Sequence, residues 1–176
     1  MSKFVEAMKK IGLAPLLCDN PRILVLGSLP GDRSLELQEY YGHTRNRFWK
    51  VIAAVSGEDE PASYEEKKAM LRRAGIALWD IYQAAEREGS LDADIRQGAF
   101  NDILGLLEKY PTIRTIACNG RTAENAFITY LKAHASQART VMQDIEVHPM
   151  PSTSPANAGW SLERLVEKWK LIFIFA

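Results

Sequence analysis

Ile23-Leu24-Val25-Leu26 runs straight into Gly27-Ser28-Leu29-Pro30-Gly31-Asp32-Arg33-Ser34, and this junction decides the fold class. The apolar run is short, contains β-branched residues and ends at a glycine, which predicts a buried strand rather than a helix. The two glycines behind it permit positive φ and let a ligand come close to the backbone. Taken alone, the fragment reads as a plain turn. It is neither a GxGxxG nor a P-loop, because no Gly-Lys-Ser/Thr follows.

Working outward, three further apolar segments resemble the first: Ile76-Ala77-Leu78-Trp79, Ile113 to Cys118, and Ile145-Glu146-Val147. Helical patterns lie between them. Asn46 to Val55 is apolar at Phe48, Trp49, Ile52 and Val55, a one-sided spacing. Tyr64 to Arg73, Asn101 to Lys109, Arg121 to Ala133 and Leu162 to Phe173 behave alike. Alternating strands and helices predict an α/β fold, an α/β sandwich around a mainly parallel sheet. Ligand sites in such sheets form beyond the carboxyl ends of the strands. One domain spanning residues 1–176 is expected, with no repeat, linker or low-complexity stretch.

The composition is that of a globular chain: 47% hydrophobic and 25% charged over 176 residues. No apolar run approaches the ~18 residues of a membrane span. Met1-Ser2-Lys3-Phe4-Val5-Glu6 does not read as a signal peptide, so a cytoplasmic location is expected. Cys18 and Cys118 are far apart with no CxxC and read as buried thiols, and the three histidines at 43, 134 and 148 form no ligand cluster. Neither a metal nor a cofactor is expected. Lys+Arg and Asp+Glu are both 22, so no net positive field draws the chain to nucleic acid. A DNA ligand would have to be met by backbone donors or by a local patch such as Arg33, Arg45, Arg47 and Lys50.

Two loops carry the chemistry. Tyr40-Tyr41-Gly42-His43-Thr44-Arg45-Asn46-Arg47-Phe48-Trp49 gathers aromatics, a histidine and an amide just before a helix. Phe48 and Trp49 read as core anchors, Asn46 as either a helix N-cap or a functional amide, and Tyr40 and Tyr41 as half-buried rings or base-stacking platforms. His148-Pro149-Met150-Pro151-Ser152-Thr153-Ser154-Pro155-Ala156-Asn157 is stiffened by prolines, and its hydroxyls and N–H groups suit a phosphate. The plainer reading is a Pro-rich turn capped by Asn157.

Together these loops resemble the uracil-DNA glycosylase superfamily, specifically its hypoxanthine-DNA (deoxyinosine) glycosylase branch. The residues that carry the resemblance are Gly27 to Gly31, Tyr40 to Trp49 and Pro151 to Asn157. Leu78-Trp79-Asp80-Ile81, Gly89-Ser90-Leu91-Asp92 and Asn119-Gly120 support it, in family order, from about residue 20 to 160. The resemblance implies a three-layer α/β/α sandwich with a central four-stranded, mainly parallel sheet and no metal. It implies that Asn46 is the catalytic asparagine and that Asn119 reads the extruded base. It also implies that Pro151, Ser152, Thr153, Ser154, Pro155, Ala156 and Asn157 press the minor groove of DNA.

Three positions depart from the commoner uracil-removing pattern. Gly27-Ser28-Leu29-Pro30 carries no acid at the usual water-activating place, Met150 stands where a histidine is frequent, and Thr44 replaces a common proline. Strong uracil activity of the familiar kind is therefore not expected.

Cutting a base from its sugar builds positive character on the sugar and negative charge on the departing base. The Asn46 carbonyl can orient water without deprotonating it, which leaves the departing group to be stabilised elsewhere. Backbone N–H groups from Ser28, Leu29 and Gly31, in the loop shaped by Pro30, suit that task. Tyr41 and His43 flank the base site, His43 either as a donor or tied to backbone, and Asn119 offers a donor and an acceptor to a lactam edge. The expected substrate is DNA with a flipped, deaminated base, hypoxanthine first and uracil in mismatches second, acted on by a monomer without an obligate partner. A nucleic-acid or nucleotide-binding module without catalysis is the alternative of another class, and the presence of Asn46 and Asn119 speaks against it.

Overall fold

The computed structural model describes residues 9–174; Met1 to Glu6 and both ends of the expected 1–176 domain lie outside them. The chain order is β1 (Lys9–Ile11), β2 (Ile23–Gly27), α1 (Asp32–Leu37), α2 (Phe48–Ser56), α3 (Tyr64–Ala74), β3 (Ile76–Asp80) and β4 (Tyr82–Glu86). It continues with β5 (Arg96–Phe100), α4 (Ile103–Lys109), β6 (Thr115–Asn119), α5 (Arg121–Ala133), α6 (Ala135–Val141), β7 (Glu146–Met150) and α7 (Leu162–Trp169).

The central sheet has four strands in the order β3-β2-β6-β7, all parallel. Every residue of β2 and β6 is buried, as inner strands of a parallel sheet covered on both faces require; the apolar run is unbroken from Ile23 to Leu26 and spans Ile116 to Cys118 in β6. Alternate side chains of β2 feed two separate cores. Ile23 and Val25 pack with Phe48, Ile52, Met70, Leu165 and Trp169 from α2, α3 and α7. Leu24 and Leu26 pack with Ile103, Leu107, Phe127 and Tyr130 from α4 and α5. This period-2 division of one strand between two helix layers makes the three-layer α/β/α sandwich. Each of these aliphatic side chains contributes roughly 1.5–3 kcal/mol through burial.

All four expected strands and all five expected helices are present, with small shifts at their ends. The last strand runs on to Met150 rather than stopping at Val147. Pro149 is accommodated because β7 is the edge of the sheet, where a missing N–H breaks no inner ladder. A second sheet, β1-β4-β5, is antiparallel and had no signal in the sequence. Tyr-Gln-Ala-Ala-Glu of β4 and Arg-Gln-Gly-Ala-Phe of β5 hold no β-branched residue and no clean alternation, and β1 is only three residues long. Helices α1 and α6 were likewise not foreseen; each is under two turns long, and α6 buries no residue. Among the described residues no helix is long and apolar enough to cross a membrane. Cys118 is buried as expected, but Cys18 is only half-buried because it lies on the connection ahead of β2; neither forms a disulfide.

Candidate active site

The carboxyl ends of β2, β3, β6 and β7 open on one cleft of about 960 Å³. The residues expected to form the site border it: Ser28, Leu29, Pro30 and Gly31 after β2; Tyr41, His43 and Asn46 before α2; Asn119 at the end of β6; and Pro151 to Asn157 after β7. Of the candidate basic patch, Arg33 and Arg45 border it and Arg47 and Lys50 do not. Residues more than a hundred positions apart meet here because parallel strands deliver all their following loops to the same edge.

Asn46, Thr153 and Asn119 form one hydrogen-bonded chain. The Asn119 Nδ2 donates to the Thr153 hydroxyl (3.0 Å), and that hydroxyl donates to Asn46 Oδ1 (2.9 Å). Asn119 Oδ1 accepts from the Thr153 N–H (3.0 Å), so the amide grips both ends of this fully buried threonine. Asn46 Oδ1 also accepts from the Phe48 N–H (3.0 Å), which fixes which end of the amide is oxygen. The N-cap position of α2 is held by Arg47, with no side-chain cap bond, so Asn46 stands one residue ahead of the expected cap. The oxygen that accepts from the first helical N–H is the one that also accepts from Thr153. Among the described residues Asn46 Nδ2 has no partner. Asn119 spends its other donor on the Tyr41 hydroxyl (3.2 Å).

Tyr41 adopts a left-handed backbone, φ 53°, which turns its ring onto Phe48 at 4.1 Å between centroids. One ring face is thus already stacked. Burial pushes the phenol well above its ordinary range, so it stays a neutral donor and acceptor. Tyr40 is a core residue whose hydroxyl donates to the Ala14 carbonyl (2.7 Å). His43 is exposed, and its Nδ1 accepts from the Arg45 N–H (3.1 Å).

The loop after β7 is held before any ligand arrives. Arg47 donates to the carbonyls of Ser154 (3.1 Å), Asn157 (3.0 Å) and Trp160, so it serves the protein rather than a free basic patch. Asn157 Nδ2 donates to the Ser152 carbonyl (3.0 Å), and the Trp169 indole donates to that of Pro151 (3.1 Å). The cap of α7 is Ser161, which accepts from the Arg164 N–H, and not Asn157. At Gly120, φ is +94° and an added Cβ would sit 3.1 Å from Ser152 Cβ, so only glycine lets β6 pass this close to the loop.

The loop after β2 is clamped from outside the main sheet. Arg87, directly after β4, is buried and donates to the carbonyls of Leu29 (3.4 Å), Pro30 and Gly89 (3.0 Å). With those carbonyls turned to the guanidinium, the N–H groups of Leu29 and Gly31 donate to nothing among the described residues. Ser28 Oγ donates to Asp92 Oδ1 (2.7 Å). Burial raises the Asp92 carboxyl, opposed by that bond and by Arg87 at 3.8 Å.

Asp80, the last residue of β3, borders the cleft but is only 5% exposed. Burial, then the nearby Asp92, push its carboxyl up to about 7, against the pull of Arg87. Sequence reasoning gave Asp80, Asp92 and Arg87 no role. An acid terminating an apolar strand that feeds the site edge was the available signal for Asp80. Arg87 had none, because the sheet that places it was itself invisible. Among the described residues, no group of His, Cys, Asp or Glu is arranged to hold a metal ion.

The pattern of the Uracil DNA glycosylase superfamily matches residues 14–174, nearly the whole chain. The chain belongs to the uracil DNA glycosylase superfamily. A superfamily relative from Methanosarcina acetivorans, named Hypoxanthine DNA glycosylase, is 37% identical over 94% of this chain and 99% of its own length. A Methanosarcina barkeri protein of the same name is 38% identical over 65% of this chain and 73% of its own. A Methanosarcina acetivorans protein solved by solution NMR shares the fold with a TM-score of 0.77, at 37% identity over 94% of this chain and 97% of that one.

Proposed function

We propose that this chain is a monofunctional DNA glycosylase of base excision repair that hydrolyses the N-glycosidic bond of a flipped, deaminated base, hypoxanthine before uracil. The observation that carries this reading is the cleft in which Asn46, held by Thr153, faces the loop of Ser28 to Gly31 across the ends of four parallel strands. The similarity to two relatives named Hypoxanthine DNA glycosylase supplies the base.

Asn46 places the attacking water. Its oxygen is engaged by Phe48 N–H and the Thr153 hydroxyl, and the hydroxyl can rotate away to free one lone pair. The N–H groups of Leu29 and Gly31 stabilise charge on the leaving base, in a place made dry by Tyr41 and Phe48. Asn119 steadies Thr153 and Tyr41 and reads the base edge when those bonds exchange. Pro151 to Asn157, pre-braced by Arg47, meets the DNA backbone through hydroxyl and N–H groups, which suits a chain of zero net charge. The protein acts as a cytoplasmic monomer, without metal or cofactor.

A panel of duplexes carrying hypoxanthine, uracil, or no lesion tests this reading, with abasic sites revealed by alkali. Cleavage confined to deoxyinosine, or fastest there, is the expected result. Cleavage fastest at uracil transfers the protein to the second reading, and no cleavage at any base removes the glycosylase assignment.

A further inference from the structure

Asp80 is a buried polar side chain of the cleft that the mechanism above leaves unused. Its Oδ2 is fully buried and has no hydrogen-bond partner among the described residues. A buried polar oxygen left unpaired costs about 1–3 kcal/mol, a cost that a fold tolerates where a ligand completes the bond. Gly27 leaves the room that the carboxyl itself occupies at the edge of the cleft. A Cβ there would lie 2.3 Å from Asp80 Oδ1 and 3.3 Å from the Tyr41 hydroxyl. The carboxyl thus lines the cleft against the end of β2, where the Tyr41 hydroxyl also approaches Gly27.

We propose that Asp80 touches the extruded base and works in its protonated form, donating a hydrogen bond to a carbonyl oxygen or ring nitrogen of that base. This deepens the glycosylase reading above and depends on it. When the bond between C1′ and the base nitrogen breaks, the electron pair leaves with the base. The Asp80 O–H takes up part of that charge through its hydrogen bond, and the water that adds to C1′ releases its proton to solvent. An ionised Asp80 would do the opposite, placing a second negative charge against the departing one.

The surroundings favour the acid form near neutrality. The carboxyl's pKa of about 7 reflects burial first and Asp92 second, with Arg87 opposing. The other titratable neighbours are Tyr40 and Tyr41, both held neutral by burial. Asn101 bonds Asp80 at its backbone carbonyl, through Nδ2 (2.7 Å), and not at its carboxyl. The active form is therefore present below about pH 7 and disappears above it.

The test is single-turnover cleavage of a deoxyinosine duplex from about pH 5.5 to about pH 9 by the wild type, Asp80→Asn, Asp80→Ala and Asp92→Asn, each checked by thermal melting. The wild-type rate should fall roughly tenfold per pH unit on the alkaline side. Asp80→Asn keeps an N–H donor that cannot ionise, so it should lose this limb and stay within about tenfold of the wild type at low pH. Asp80→Ala should be slower by about 10²-fold on the acid plateau. Asp92→Asn should move the limb to lower pH, because the charge that raises Asp80 is gone. A merely structural Asp80 would change the rate without moving the limb. An Asp80→Asn protein with the wild-type limb, or a folded Asp80→Ala protein with the wild-type rate, overturns the role of Asp80 while leaving the glycosylase reading intact. A wild type inactive on every lesion overturns both.

Discussion

The Thr153 hydroxyl donates to the Asn46 carboxamide oxygen at 2.9 Å, joining two residues separated by 107 positions in the chain. Thr153 is completely buried, and Asn119 holds it from the other side through two hydrogen bonds. This threonine therefore sets where the Asn46 amide points. Thr153→Val keeps the shape but loses the hydroxyl, leaving an Asn119 donor unpaired. We expect cleavage of a deoxyinosine duplex to fall by at least about tenfold and stability by about 1–3 kcal/mol. Thr153→Ser, which keeps the hydroxyl, should recover most of the rate. Equal rates for the wild type and a folded Thr153→Val protein would detach Asn46 from this network.

Asn46→Ala removes an oxygen that serves the Phe48 N–H and the site at once. Single-turnover cleavage should drop by about 10²-fold or more, on the scale of a catalytic polar group. Stability should fall by about 1 kcal/mol, the scale of a lost cap. Asn46→Asp keeps an oxygen that can accept from both Phe48 N–H and the Thr153 hydroxyl, so its melt should match that of the wild type, and any change in its rate is then chemical. A stable Asn46→Ala protein with normal turnover would leave the amide as a cap alone.

Asp80 also makes stability depend on pH. Its folded pKa of about 7 lies above its ordinary value of 3.8, so between these limits the folded state binds more protons than the unfolded one. Stability then falls as pH rises through that window, by a few kcal/mol in total. Asp80→Asn removes this dependence. Its melting temperature, compared with the wild type, should gain on the order of 5–10 °C between about pH 4.5 and about pH 8. Parallel pH profiles for the two proteins would show that Asp80 ionises normally.

DNA affinity should depend only shallowly on salt. Net charge is zero, and Arg47 is committed to three carbonyls of its own chain. Few counterions are released when few phosphates are neutralised, so the log–log slope of binding against salt should be less steep than about −6. A steeper slope would reveal a basic surface that the Arg47 contacts do not account for.

Much of the fold was legible because burial writes it into the sequence. A strand buried on both faces must be largely apolar, and Ile23 to Leu26, Ile76 to Trp79 and Ile116 to Cys118 are continuous apolar runs. One-sided helices such as Phe48–Ser56 show their period for the same reason. The sequence by itself also determined that Asn46, Asn119 and the loops after β2 and β7 belong together, through motifs specific to one superfamily. Only the tertiary structure decided what those residues touch. That Thr153 joins the two asparagines, that Arg47 braces a loop instead of waiting for phosphate, and that Arg87 reaches Leu29 and Pro30 from a second sheet are contacts between distant positions. The physical reason is that hydrophobic burial is a property of each residue's own periodic setting. The direction of a hydrogen bond, or the pKa of a carboxyl such as Asp80, is fixed by neighbours that folding alone brings within a few ångströms.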